Sequence, residues 1–360
     1  MLTDIDYMAR ALAIAERGRG RTSPNPMVGA VVVDQDGVVV GRGAHEFAGG
    51  PHAEVHALRD AGERARGATL YCTLEPCSHI GRTGACAPVV AGAGLTRVVV
   101  ATPDPNPLVN GRGLQILRDR GVSVTSGILE EEARRLNAPF FTVMTRNRPF
   151  ITMKIALSAD RRIAVRPGVR TPLTGAAAAR LIHRDRAEVD ALAVGSGTVL
   201  ADDPSLTPRG AFRHRPLVRV VFDSRLRMPP TARLLSTLSA GPVIIVSTRS
   251  TLDSSSDRAA SLTGAGAEIL AVDANSTIEA ALQRLVALGV CSMIVEGGVT
   301  LHRAFWDAGL VDRVQIYMTS HVLGVDGLEW LPFPLTGLGP VTARPLGADR
   351  LVEAYVHRTD

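Results

Sequence analysis

Apolar positions in the first turns of the chain fall at Tyr7, Met8, Ala11, Leu12 and Ala15, the stripe of an amphipathic helix over 4–16 that Gly18 ends. Valine-rich runs at 28–33 and 38–40 flank Asp36-Gly37, which signals a hairpin. The pattern then alternates. It predicts helices from His52 to about 62, over 86–93 and over 113–120, with strands at 69–74, 97–101 and 122–124 between them, and one closing helix from Glu130 to about 141. Helices alternating with short strands imply a three-layer α/β sandwich. Arg146-Asn147-Arg148-Pro149 interrupts the pattern, so the expected domains are 1–146 and 147–360. Beyond the break, strands are expected at 150–157, 191–194, 217–222, 243–246, 293–295 and 313–318, and helices at 176–186, 277–288 and 300–308. Ser-rich 250–257 reads as a surface loop, and there is no internal repeat.

A length of 360 residues agrees with two domains, and an apolar share of 46% against 21% charged suits chains that bury real cores. No segment reaches the roughly 20 uncharged apolar residues of a membrane helix. Asp4, Asp6, Arg10, Glu16 and Arg17 interrupt the N-terminal apolar stretches, so no secretory signal is expected. The formal charge of +5 favours an anionic small molecule, but no Lys/Arg block tracks a phosphate backbone. With 2 Trp, 4 Tyr and 8 Phe there is little material for stacking bases, so nucleic acid is not the expected partner. Four cysteines are too few for a disulfide scaffold in a chain of this length.

Two of those cysteines bear on chemistry. His52-Ala53-Glu54 is followed by Leu74-Glu75-Pro76-Cys77 and then by Cys86. Catalytic zinc takes three protein ligands and keeps one position open for water, and His52, Cys77 and Cys86 supply three. Glu54 stands close enough in sequence to take a proton from that water and pass it to a leaving amine, and zinc brings the water's pKa to about 7. Cys72 and Cys291 lie in or beside apolar strands and read as small buried hydrophobes. The order of the motifs is that of zinc deaminases, but the two cysteines are farther apart than in the P-C-x-x-C pattern.

The stretch between them, Ser78-His79-Ile80-Gly81-Arg82-Thr83-Gly84-Ala85, resembles the insertion of the bifunctional riboflavin-biosynthesis deaminase–reductases of the RibD or RibG type. Pro24-Asn25-Pro26-Met27-Val28-Gly29, Gly43-Ala44-His45, His52-Ala53-Glu54-Val55-His56-Ala57 and Asp104-Pro105-Asn106-Pro107 resemble the same family, across nearly all of 5–145. The resemblance implies a cytidine-deaminase-like fold and a substrate pocket lined by Asn25, His45, His79, Arg82, Thr83, Asp104 and Asn106. An asparagine amide can read a pyrimidine edge, and arginine is a planar fork suited to phosphate. His56 reads as structural.

In the second half, Ile294-Val295-Glu296-Gly297-Gly298-Val299-Thr300-Leu301 runs strand, glycine pair, helix, a turn that lets backbone approach a pyrophosphate. Arg225 and Arg249, just past two strand ends, are candidate cations for a 2′-phosphate. Arg148-Pro149-Phe150-Ile151-Thr152-Met153-Lys154 resembles the family's opening reductase strand, and Gly195-Ser196-Gly197-Thr198-Val199-Leu200-Ala201-Asp202-Asp203-Pro204-Ser205-Leu206-Thr207 resembles its signature. For this half the resemblance implies a dihydrofolate-reductase-like α/β domain using NADPH. Ser158, Thr198, Asp202, Ser224, Gly297, Gly298, Val299 and Thr300 would contact the cofactor. Lys154, Arg186, Leu206, Arg209 and Glu296 would contact the ribosyl phosphate, with Lys154 and Asp202 steering charge and protons. Ser158-Ala159-Asp160-Arg161-Arg162 departs from the usual Ser-Leu-Asp-Gly-Arg. Pro172 stands where many members carry a tryptophan.

The expected activity is zinc-dependent deamination of a phosphorylated diaminopyrimidine followed by NADPH-dependent reduction of its ribosyl group, in a cytoplasmic homo-oligomer without membrane partners. The alternative is a zinc deaminase whose reductase-like half is a non-catalytic scaffold.

Overall fold

Strands buried on both faces sort the first half of the chain into layers. The computed structural model describes residues 2–78, 84–107, 109–273, 278–330 and 338–356. Its contacts divide the chain into two units, Met1–Asn147 and Arg148–Asp360. The first unit contains α1 (Asp4–Ala15), β1 (Gly29–Val33), β2 (Val39–Ala44), α2 (Ala53–Ala61), β3 (Thr69–Cys72), α3 (Cys86–Gly92), β4 (Arg97–Val100), α4 (Arg112–Asp119), β5 (Ser123–Ser126), α5 (Glu130–Leu136) and α6 (Ala138–Arg146). A reciprocal cap between Thr3 and Asp6 starts α1.

The sheet order is β2-β1-β3-β4-β5, with β1 antiparallel to β2 and β3, and β3, β4 and β5 parallel. Ala30, Val32, Leu70, Cys72, Val98 and Val100 turn one way, to residues of α2, α3 and α4. Val31, Val33, Tyr71 and Val99 turn the other way, to α1 and to Ala133 of α5. Helix α2 lies unusually close to β2. A Cβ on Gly43 would stand 2.1 Å from the Ala53 carbonyl oxygen, so only glycine permits the approach that fixes the His52 end of α2.

The sequence pattern gives one closing helix, whereas the chain forms two. Asn137 breaks it: its side chain accepts from the Met27 N–H at 2.7 Å and donates to the Met27 carbonyl at 2.8 Å. Pro139, which has no N–H to donate, then sits in the first turn of α6. Asn147, at φ 49°, closes that helix.

The second unit contains β6 (Phe150–Leu157), β7 (Arg162–Ala164), α7 (Ala176–Glu188), β8 (Ala191–Gly195), α8 (Ser196–Asp202), β9 (Val218–Phe222), β10 (Val243–Thr248), α9 (Arg249–Ser254), α10 (Ser256–Gly264), β11 (Glu268–Val272), α11 (Ile278–Ala287), β12 (Ser292–Gly297), α12 (Val299–Asp307), β13 (Arg313–Met318), β14 (Leu328–Glu329), β15 (Thr342–Leu346) and β16 (Asp349–Tyr355). Nine strands form one sheet in the order β11-β10-β9-β8-β12-β6-β13-β16-β15. It is parallel from β11 to β13 and antiparallel at β16 and β15. Met293 and Val295 pack with α11 and α12 on one face, and Ile294 packs with Leu192, Val194 and Leu262 on the other. Arg148 is buried and grips Asp312 with two bonds of 2.6 and 2.8 Å, while Asp312 also accepts the Ile151 N–H, which anchors the start of β6.

The Ser-rich segment expected as a loop forms α9 and the start of α10 instead. The Thr248 hydroxyl accepts the Thr251 N–H and caps α9.

Candidate active sites

In the first unit the ends of β3, α2 and α3 converge. His52 is the N-cap of α2, Cys77 follows β3, and Cys86 is the first residue of α3. The ligand atoms of these three residues lie within 4.8 Å of one another, the one such group of His, Cys, Asp and Glu among the described residues. His52 Nδ1 is 3.1 Å from Cys86 Sγ and 3.6 Å from Cys77 Sγ, close to the separations that ligand distances of about 2.0–2.3 Å around a tetrahedral zinc require. The Cys86 N–H donates to Cys77 Sγ at 3.3 Å. One nitrogen, two sulfurs and an open side fit catalytic zinc.

Charge in the cluster is uneven. The contact from Cys86 holds the Cys77 thiol down at about 4 despite burial, and the same pairing pushes Cys86 up, so the pair retains one proton that a divalent cation would displace. The bond to Cys77 raises His52. Glu54, on the first turn of α2, is buried, and that burial pushes its carboxyl up to about 7.

His52, Cys77 and Glu54 face a cavity of about 350 Å³ that Asn25, His45, Asp104 and Asn106 also line. His45 is buried, which lowers its pKa. Its Nδ1 lies 3.1 Å from the Pro51 carbonyl, which can only accept, so Nδ1 carries the proton and Nε2 accepts from Asn25 Nδ2 at 3.1 Å. Asn25 Oδ1 is then the acceptor it offers to the cavity. His79, Arg82 and Thr83 lie outside the described residues. Cys72 is fully buried in β3, where burial raises its thiol well above the ordinary value, and Cys291 is buried and takes no part in the cluster. Glu75, Phe140 and Met144 line the cavity too, and the sequence alone does not single them out. The i, i+4 spacing of Phe140 and Met144 on a helix is the available signal.

In the second unit a cavity of about 580 Å³ is lined by Lys154, Thr198, Asp202, Ser224, Glu296, Gly297, Gly298, Val299 and Thr300. Gly298, at φ 90°, is the N-cap of α12, and a Cβ on Gly297 would stand 2.9 Å from Thr198 Oγ1. The glycine pair therefore lets β12 turn directly into a helix N-terminus whose N–H groups can receive an anion. That cradle fits a dinucleotide pyrophosphate.

Beside it, Arg186 Nε lies 2.6 Å from Glu296 Oε1 and Nη2 2.5 Å from Oε2, while Lys154 Nζ stands 4.0 Å from the same carboxylate. Burial alone would raise Glu296, but Arg186 and Lys154 outweigh it and hold the carboxyl at about 2. Burial lowers Lys154 and raises Asp202, whose charge Lys154 and Arg170 support.

Not every expected residue reaches the cavity wall. Ser158 is buried in a turn, bonded to Asp160 and to the Arg162 N–H. Leu206 packs in the core, Arg186 stands behind Glu296, and Arg209 bonds His183. Pro172 is exposed, whereas its neighbours Val169 and Thr171 line the cavity. Of the candidate cations, Arg225 is exposed and Arg249 pairs with Asp273. Arg227 lines the cavity instead, aimed at Ser196 Oγ (2.8 Å) by a turn in which Leu226 adopts φ 48°. His302 lines it as well. Its Nε2 donates to the Val295 carbonyl, and burial lowers it to about 4.

The fold and sites define a two-part enzyme: a zinc deaminase of the cytidine-deaminase type joined to a dinucleotide-dependent α/β reductase. The family described as the cytidine and deoxycytidylate deaminase zinc-binding region matches residues 1–102, and the family described as the RibD C-terminal domain matches 149–333. The chain belongs to the RibD family of riboflavin biosynthesis proteins. It is 41% identical to the riboflavin biosynthesis protein RibD of Aquifex aeolicus over 91% of this chain and 90% of that one. Its structure is similar to that of Acinetobacter baumannii RibD (TM-score 0.87, 35% identity, 99% of each chain). It is also similar to a diaminohydroxyphosphoribosylaminopyrimidine deaminase/5-amino-6-(5-phosphoribosylamino)uracil reductase from Thermotoga maritima (TM-score 0.84, 32% identity, 98% of this chain and 99% of that one).

Proposed function

We propose that the chain carries out two successive steps of riboflavin synthesis on one phosphorylated pyrimidine. The first unit deaminates 2,5-diamino-6-ribosylamino-4(3H)-pyrimidinone 5′-phosphate, and the second reduces the ribosyl group of the product to ribityl with NADPH. The observation that carries the reading is the cluster of His52, Cys77 and Cys86 at the edge of a cavity that His52, Cys77 and a proton-retaining Glu54 line.

Zinc held by these three side chains supplies an activated water at neutral pH. Glu54 takes a proton at its carboxylate and returns it to the departing amine, work for which a carboxyl near 7 is suited. Asn25 Oδ1 accepts from a pyrimidine N–H, its amide orientation fixed by His45. Asp104 and Asn106, just beyond the end of β4, bind the same substrate, together with His79, Arg82 and Thr83.

In the second unit NADPH supplies the hydride. The α12 N-terminus with Gly297, Gly298, Val299 and Thr300 binds its phosphates, and Thr198, Asp202 and Ser224 hold the rest. Lys154 orients the sugar and supports charge at C1′, with Glu296 keeping the lysine in place and Asp202 across the cavity. Arg186, Arg209 and Leu206 serve the ribosyl phosphate side, and Ser158 holds the turn after β6 on the cofactor side.

No helix among the described residues is long and apolar enough to cross a membrane. The proposal includes a homo-oligomer working in the cytoplasm on a small molecule, without nucleic acid.

Incubating the chain with the diaminopyrimidine phosphate should convert it to the deaminated product alone, and adding NADPH should carry it on to the ribityl compound, both identified by mass. Formation of neither product from that substrate would defeat the proposal. Metal content gives a second check. The wild-type chain should hold one zinc, Cys72→Ser and Cys291→Ser should keep it, and Cys77→Ala should lose it. Full zinc in Cys77→Ala by elemental analysis would remove Cys77 from the ligand set.

A further inference from the structure

Glu75 stands out in the deaminase unit because its buried carboxylate is bonded by peptide groups from one distant stretch of chain. Oε2 accepts the N–H of Asp104 at 3.2 Å and of Gly111 at 2.9 Å. Oε1 accepts the N–H of Gly113 at 2.9 Å and of Leu114 at 3.2 Å. Gly111 is the N-cap of α4, so a side chain from beyond β3 caps a helix elsewhere in the unit with a full negative charge. The seat is tight: a Cβ on Gly113 would stand 2.0 Å from the Pro76 carbonyl oxygen. Glu75's own N–H donates to the Thr102 carbonyl, tying the ends of β3 and β4. From Asp104 the order passes on, because its Oδ1 accepts the Asn106 N–H at 2.8 Å. Asp104, Asn106 and Glu75 itself all line the cavity.

We propose that Glu75 is the positioning residue of the deaminase pocket, a charged strut that sets Asp104 and Asn106 for the pyrimidine phosphate without touching the metal. The inference rests on the deaminase reading above. A carboxylate is needed because only it offers two acceptor oxygens to four converging donors and complements a helix N-terminus. Without the strut, the loop loses these four bonds while the zinc ligands keep their own contacts.

The test uses the full-length zinc-loaded chain. Glu75→Gln keeps the shape but turns an NH2 group onto two peptide N–H donors. Zinc content and NADPH oxidation on deaminated substrate should stay at wild-type levels. KM for deamination should rise about tenfold, with kcat changed by less than about threefold. Asn106→Ala should raise KM alone, and the double variant should be little worse than Asn106→Ala, because both act through one loop. Additive effects, a fall in kcat at unchanged KM, or loss of zinc would each overturn the proposal. Amide exchange at Asp104, Gly111, Gly113 and Leu114 should speed up in Glu75→Gln. This readout needs no substrate and separates failure of the strut from failure of the deaminase reading. If Glu75→Gln does not fold, Glu75→Asp, which keeps the charge but shortens the reach, goes through the same cycle, with KM again expected to move and additivity again decisive against it.

Discussion

Glu54→Gln should retain its zinc, bind the diaminopyrimidine with little change, and deaminate it about 10²- to 10⁴-fold more slowly, the range that loss of general acid–base catalysis gives. The side chain is 3% exposed on the first turn of α2, and glutamine fills the same space. What changes is proton traffic. The buried carboxyl titrates at about 7, so near neutrality it can both accept and release a proton, whereas an amide can do neither. Because the three ligand atoms belong to other residues, metal content should not follow activity. NADPH oxidation on substrate deaminated beforehand should be close to normal. An equal collapse of both activities would show that one site performs both steps.

Arg186→Ala should destabilise the second unit by about 3 kcal/mol, the low end of what breaking a buried ion pair costs, because Lys154 remains 4.0 Å from the orphaned carboxylate. The sign with pH comes from Glu296. Its carboxyl stands at about 2 in the fold against an ordinary value of 4.5, so its contribution is fully present above about 4.5 and disappears as pH falls towards 2. Without Arg186 the folded value rises, and the acid limb of stability moves to higher pH. Both tryptophans, Trp306 and Trp330, lie in the second unit, so urea unfolding followed by their fluorescence reads this unit alone. An unchanged midpoint at neutral pH together with an unchanged acid limb would show that the pair contributes nothing. Reduction should fall with it, since the same carboxylate steadies Lys154.

Periodicity carried the buried parts of the fold because there the side chains alone decide. Strands such as β1 and β8 are continuous runs of small and apolar residues, and α7 and α12 show a 3.6-residue stripe. It failed where other forces act. Strand β15 is exposed along most of its length and is defined by pairing with β16, which no local pattern reveals. Asn137 splits a helix through bonds to Met27, far back in the chain. The metal cluster was legible because its three residues are of two scarce types, His and Cys, in a fixed order. Glu75 sits inside the same motif, yet its role depends on four peptide groups that only folding brings to it. In the second unit the glycine turn was legible from composition. Arg227 was not, since a left-handed residue aims it at the cavity while Arg225, two positions earlier, points to solvent.

The position of β6 sets the order in which the chain can assemble. It opens the second unit, yet its two neighbours in the sheet are β12 and β13, both made more than 130 residues later. A polypeptide leaving the ribosome has already made all five strands of the first sheet when β6 emerges as an apolar ribbon with both edges unpaired. Closing so long a loop is slow, and an exposed strand of this kind invites wrong partners while it waits. Synthesis halted just after residue 290 should therefore yield a protease-resistant first unit attached to a digestible second one. The metal-dependent half can be ready while the central strand of the other half still waits, unpaired and prone to aggregate, for β12 and β13.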